Sequence, residues 1–159
     1  MTELVVRYLK FAIAFALVWI LLYFWTSCSL REIKGKEMSP AGISGDNYWV
    51  LIKERTPDKL NNGDIVAFEY AHPGQNQDVA RAGRIQGMPG ERVKMVKGDL
   101  FINDKKVGVA GKPEDSFEEI IVPRDCFFIL MDHKEVGPTM DSRAIGPLGA
   151  SAVIGRIKK

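Results

Sequence analysis

Between positions 132 and 143 the chain gathers side chains that can move protons: Asp132 and His133, then Thr139, Asp141, Ser142 and Arg143. Two carboxylates, an imidazole and a guanidinium on one polar loop have the composition of an acid–base site. The same residues also fit a structural role, in which Asp141 and Arg143 form an ion pair that holds a long loop against a sheet, and that role is preferred for the pair. His133 has no second histidine near it, so no metal centre is expected. The two cysteines, Cys28 and Cys126, have neither the number nor the spacing of a zinc or redox pair, and no cofactor is expected. Ser39, between Met38 and Pro40, is a nucleophile by type, although a serine in such a setting is more often a plain linker residue.

These residues need a scaffold, and its most sharply written part is Gly83-Arg-Ile-Gln-Gly-Met-Pro-Gly-Glu91. Gly87 and Gly90 can take positive φ there without a Cβ penalty, and Pro89 presets φ for a turn between two strands. Further strands are predicted at Tyr48–Ile52, Ile65–Tyr70, Asp78–Ile85, Arg92–Val96, Leu100–Ile102 and Lys106–Val109, separated by turn signals such as Asn62-Gly63 and Asn103-Asp104. Two more are predicted within Glu119–Met131, the second of them the most buried, and a short one at Ala152–Ile157 closes the chain. The segment Asp132–Gly146 is read as a long polar loop. Almost nothing after Arg31 has a 3.6-residue period, so the fold expected over 47–159 is a mainly β, open-barrel-like domain.

Ahead of it, no charged residue falls between Lys10 and Arg31, and the apolar run starting at Phe11 is long enough to cross a lipid bilayer. A cleaved secretory signal has a shorter apolar core and a small-x-small site, and a lipoprotein signal would not place Trp25 three residues before Cys28. An uncleaved anchor is therefore expected: a cytoplasmic tail over 1–10, a transmembrane helix over 11–30 and a linker over 31–46. With a net charge of +2 on 159 residues and both signs intermixed, the composition argues against a nucleic-acid partner.

Three separated segments resemble, in order, the motifs of the type I signal peptidases, membrane-anchored serine proteases with a Ser/Lys dyad. Met38-x-Pro40 resembles the Ser-Met-x-Pro motif. Gly83–Glu91 resembles Lys-Arg-Val-Val-Gly-x-Pro-Gly-Asp, with Arg84 and Pro89 matching. Asp132 with Thr139-Met140-Asp141-Ser142-Arg143 resembles Gly-Asp-Asn followed by Ser-x-Asp-Ser-Arg. The resemblance implies the family's β fold and a location in the bacterial cytoplasmic membrane with the domain outside. It also implies supporting roles for Met38, Pro40, Arg84, Pro89, Asp132, Thr139, Asp141, Ser142 and Arg143 around a peptide groove beside Asp78–Arg84. In this register the nucleophile falls on Glu37 and the general base on Gly83, so neither dyad residue is present and Ser39 is the alternative nucleophile.

The resemblance is strongest to catalytically degraded, signal-peptidase-like accessory proteins of pilus assembly, which implies a secreted preprotein, a pilin or a sortase-pathway protein as partner. The alternative is an active, divergent signal peptidase. If the scaffold is retained, Glu37→Ser combined with Gly83→Lys is expected to regain weak peptidase activity.

Overall fold

The computed structural model describes residues 2–33, 38, 47–52, 54–70, 79–132 and 141–158. Helix α1 spans Thr2–Ser27, starting ahead of the expected anchor and ending before it. Its segment Glu3–Thr26 has a mean hydropathy of 2.1 and buries none of its surface within the protein, which makes it a candidate membrane span by length and composition. The helix stops within Thr26-Ser27-Cys28-Ser29, residue types of low helix propensity. The Thr26 hydroxyl donates to the carbonyl oxygen of Tyr23 (3.1 Å).

Strand β1 (Cys28–Glu32) follows directly. The remaining strands are β2 (Asn47–Leu51), β3 (Ile65–Tyr70), β4 (Val79–Gly87), β5 (Arg92–Val96), β6 (Asp99–Ile102), β7 (Lys105–Val109), β8 (Phe117–Ile121), β9 (Cys126–Leu130), β10 (Leu148–Gly149) and β11 (Val153–Lys158). They form a seven-stranded sheet in the order β1-β2-β11-β3-β4-β9-β10 and a four-stranded sheet in the order β7-β6-β5-β8. Every pairing is antiparallel.

Alternation along the strands explains the packing. On β3, Val66 and Phe68 enter one core with Ile85 and Ile129, whereas Ala67 enters another with Ala82, Val50 and Met38. Strand β9 buries both faces. Phe127 and Ile129 turn to the first core, while Phe128 and Leu130 join Val93, Met95 and Leu100 beneath the small sheet. Its run of uninterrupted apolar residues is thus a strand buried on both faces, in keeping with its reading as the most buried of the predicted strands.

Two-residue turns join β5 to β6 and β6 to β7. Lys97 and Gly98, then Asn103 and Asp104, all have positive φ, the geometry that matches strand twist in tight hairpins. The second turn is held from the neighbouring strand, because Lys94 and Arg92 reach the Asp104 carboxylate at 2.6 and 2.7 Å. The hydrogen bond from Lys94, followed by the charges of Lys94 and Arg92, lowers the Asp104 pKa below its ordinary value.

A depressed carboxylate stabilises the fold above its unfolded pKa and loses that contribution as pH falls through the folded value. Carboxyl-carbon NMR is expected to give Asp104 a midpoint below that of an ordinary aspartate, and Lys94→Met should raise it. An unchanged midpoint in the variant would show that the pair does not form in solution.

Candidate functional site

Arg84 and Asp132 meet across the seam between β4 and the end of β9. The Arg84 Nε and Nη2 donate to the two carboxylate oxygens of Asp132 at 3.0 and 2.6 Å, and Nη1 donates to the Gly63 carbonyl oxygen at 2.8 Å. Both side chains are partly exposed. The hydrogen bonds to Asp132 raise the Arg84 pKa further, against the opposing effect of burial, so this residue is a fixed cation. It ties the Asn62-Gly63 turn, β4 and the start of the 132–141 connection into one unit.

Beyond that connection, Asp141 caps the short helix α2 (Ser142–Ile145), which the sequence reading had left inside a polar loop. Four residues are too few to show a period. The Asp141 carboxylate is fully buried and accepts from the Met131 amide (3.1 Å), the Arg143 amide (3.0 Å) and the Arg143 guanidinium (2.6 Å). Arg143 in turn donates to the Ala110 carbonyl oxygen at the end of the small sheet (3.0 Å). Ser142 is buried too, and its Oγ accepts from the Ile129 amide (2.9 Å). These three residues fasten α2 to β9 and to the small sheet. The Asp141 carboxylate has no exposed surface and is paired with Arg143, an arrangement that fits the structural role.

The Met88–Glu91 turn is closed in both directions, by the Glu91 amide donating to Met88 O (3.1 Å) and the Met88 amide donating to Glu91 Oε2 (2.7 Å). Asn62 and Asn103 add side-chain donors to the same carboxylate. Glu91 is the hub that sequence reasoning passed over, and its signal was the acidic residue ending a Pro-Gly turn. Gly90 has φ 84, but Gly87 does not share it and is the extended last residue of β4. Its smallness serves packing instead. A Cβ there would sit 2.8 Å from Val93 Cγ2 and 3.1 Å from the Phe128 Cβ.

Gly83 is buried in the middle of β4, opposite Val66 of β3. A Cβ added to it would collide with Ile129 Cγ2 and lie 3.0 Å from Phe68 Cε1. The space above its backbone is therefore already filled by core side chains. Strand β3 pairs with β4 along its whole length, from Val79 to Arg84, whereas β9 pairs with β4 only from Arg84 to Gly87. Along Val79–Gly83 the second edge of β4 thus carries no strand among the described residues. Pro89 lies in the turn, and Met38 is buried against Ala82 and Val50. Glu37, Ser39, Pro40, His133 and Thr139 lie outside the described residues. Among the described residues no three His, Cys, Asp or Glu side chains gather as metal ligands.

The model of the signal peptidase, peptidase S26, family matches residues 5–159. The chain belongs to that family. Among curated signal peptidases, it is 25% identical to signal peptidase IB of Staphylococcus aureus (strain Mu50 / ATCC 700699) over 176 aligned positions, covering 98% of this chain and 87% of the relative. Signal peptidase I of Bacillus licheniformis is 28% identical over 124 positions, 70% of this chain and 63% of the relative. A crystal structure of a signal peptidase I from Enterococcus faecalis V583 superposes with a TM-score of 0.48 at 23% identity, over 63% of this chain and 97% of that one. The chain joins an apolar N-terminal helix to a mainly β domain, and the Arg84–Asp132 and Asp141–Arg143 pairs are its internal braces.

Proposed function

We propose that this member of the signal peptidase family binds secreted polypeptides at the outer face of the cytoplasmic membrane and does not cleave them. The observation that carries this reading is Gly83. At the position where the family motif places its lysine base there is no amine, and Ile129 and Phe68 crowd the place where the Cβ of any side chain would stand. A Ser/Lys dyad works because the desolvated amine takes the proton of the serine hydroxyl, and a filled core position supplies neither the base nor space for one. At the other dyad position, Glu37 is a carboxylate unsuited to an acyl-enzyme route. Among the described residues β9 pairs with β4 only from Arg84 to Gly87, and this supports binding, since an extended segment could add beside the earlier part of the strand through backbone hydrogen bonds.

The test reconstitutes the full chain in lipid and incubates it with a preprotein carrying a small-x-small site. No cleavage is expected. Slowed amide exchange over Val79–Gly83 should report binding. Cleavage abolished by Ser39→Ala would overturn the reading in favour of a divergent peptidase. In this proposal α1 is a single-pass anchor with residues 1–10 inside, which protease protection of intact spheroplasts checks. A pilin precursor or a sortase-pathway protein is the partner class taken here from the resemblance to accessory proteins of pilus assembly. Co-purification of such a protein with the full chain, lost when the β4 edge is blocked, tests it.

A further inference from the structure

The seam between the two sheets opens into a cleft of about 540 Å³. One wall is Asn62-Gly63 with Gln86 and Glu91; the other is the small sheet, contributing Ile102, Lys105 and Val107. Its chemistry is uneven in a way that selects a ligand. The Glu91 carboxylate is occupied by the Met88 amide at 2.7 Å and by the side chains of Asn62 and Asn103 at 3.2 and 3.3 Å. Neither Glu91 nor Lys105 forms an ion pair among the described residues, but the donors around Glu91 engage both of its oxygens, which leaves the Lys105 ammonium as the charged group at the lining whose hydrogen bonds are unused among the described residues.

Gln86 sits at the irregularity where the β4–β9 register shifts between Ile85 and Gly87. Its half-buried carboxamide, a donor and an acceptor at once, has no hydrogen-bond partner among the described residues. Val107 is 54% exposed and, among the described residues, is one of three large aliphatic side chains outside α1 left open to solvent, all on the small sheet. In the cleft it offers an apolar wall beside the cation.

We propose that this cleft captures the C-terminal carboxylate of a polypeptide whose last side chain is aliphatic. Such a terminus combines an anion for Lys105, a peptide group for the Gln86 carboxamide and an alkyl group for Val107 and Ile102, within the reach of one residue. The site is separate from the β4 edge and would persist if the peptide reading of that edge failed.

The test measures fluorescence anisotropy with the full chain in lipid nanodiscs and fluorescein-labelled Gly-Ser-Gly-Val-Leu. Three probes are compared: the free acid, its C-terminal amide, and the amide of Gly-Ser-Asp-Val-Leu. Saturable binding of the free acid is expected, weakened about tenfold by amidation and about tenfold by Lys105→Glu, the loss of one charge-assisted hydrogen bond. Gln86→Ala should weaken it about threefold, within the range of a neutral hydrogen bond. Lys105 and Val107 are exposed, so Lys105→Glu and Val107→Asp should keep the parent's thermal midpoint while losing affinity. Equal binding of acid and amide, indifference to Lys105→Glu, or no saturable binding would each overturn the proposal. Tight binding of the internal-Asp amide would assign the cleft to acidic side chains instead. A small-x-small peptide should not displace the probe, and displacement would place the binding on the β4 edge.

Discussion

Asp141→Ala is expected to destabilise the β domain by about 3–5 kcal/mol, the usual cost of removing one partner of a buried ion pair. The side chains of Asp141 and Arg143 are 0% and 4% exposed, so solvent does not take over when the carboxylate is gone. The loss has several parts. The Arg143 guanidinium keeps only the Ala110 carbonyl oxygen, the Met131 amide loses its acceptor, and α2 loses its N-cap. Unsatisfied buried donors cost more than the net value of the bonds they formed.

Asp141→Asn should cost nearly as much, because shape is kept while the charge balance is not. In contrast, Asp141→Asn combined with Arg143→Met should cost less than the two single changes added together, since the pair acts as a unit. Urea unfolding of the four proteins measures this. Additive losses would mean that the two side chains do not depend on one another in the folded protein.

The pair illustrates what could be read from the sequence and what could not. Asp141 and Arg143 are two residues apart, so a structural pair was a local inference and it holds. Strands β3 and β5 fall at the predicted residues because β3 is a short apolar run, β5 alternates between buried and more exposed positions, and Asn62-Gly63 and Lys97-Gly98 mark the turns. Helix α2 and the two-residue β10 were not legible, being too short to carry a period. Gly87 was assigned to the turn by its type, yet its small size answers to Val93 and Phe128, which arrive from other strands. The same holds for Glu91, whose donors come from two distant turns. The β4 edge required knowing how far β9 runs along β4, a matter of register that no single strand records.

Register also decides what happens to the attempt to restore a peptidase. From sequence, Glu37→Ser with Gly83→Lys replaces the two residues that a dyad needs, and weak activity would follow if the groove had kept its shape. The structure reverses that expectation. Ile129 Cγ2 and Phe68 Cε1 stand so close to where a Cβ on Gly83 would lie that even an alanine must push a neighbour aside.

Gly83→Ala is therefore expected to cost about 1–3 kcal/mol, as overpacking of a dense core does. Gly83→Lys should cost more, since it adds a longer chain and buries an ammonium among Phe68, Ile85 and Ile129 with no carboxylate in that cluster. The double variant should be strongly destabilised, and in its folded fraction inactive. Trimming the obstruction makes the test decisive. Adding Ile129→Ala removes the nearest atom, and this triple variant should recover part of the stability that Gly83→Lys loses, because a cavity and an intruding side chain offset one another. Peptidase activity in the triple but not the double variant would identify Ile129 as the block. A double variant with parental stability would show instead that β9 yields readily, and the argument from crowding at Gly83 would fall with it.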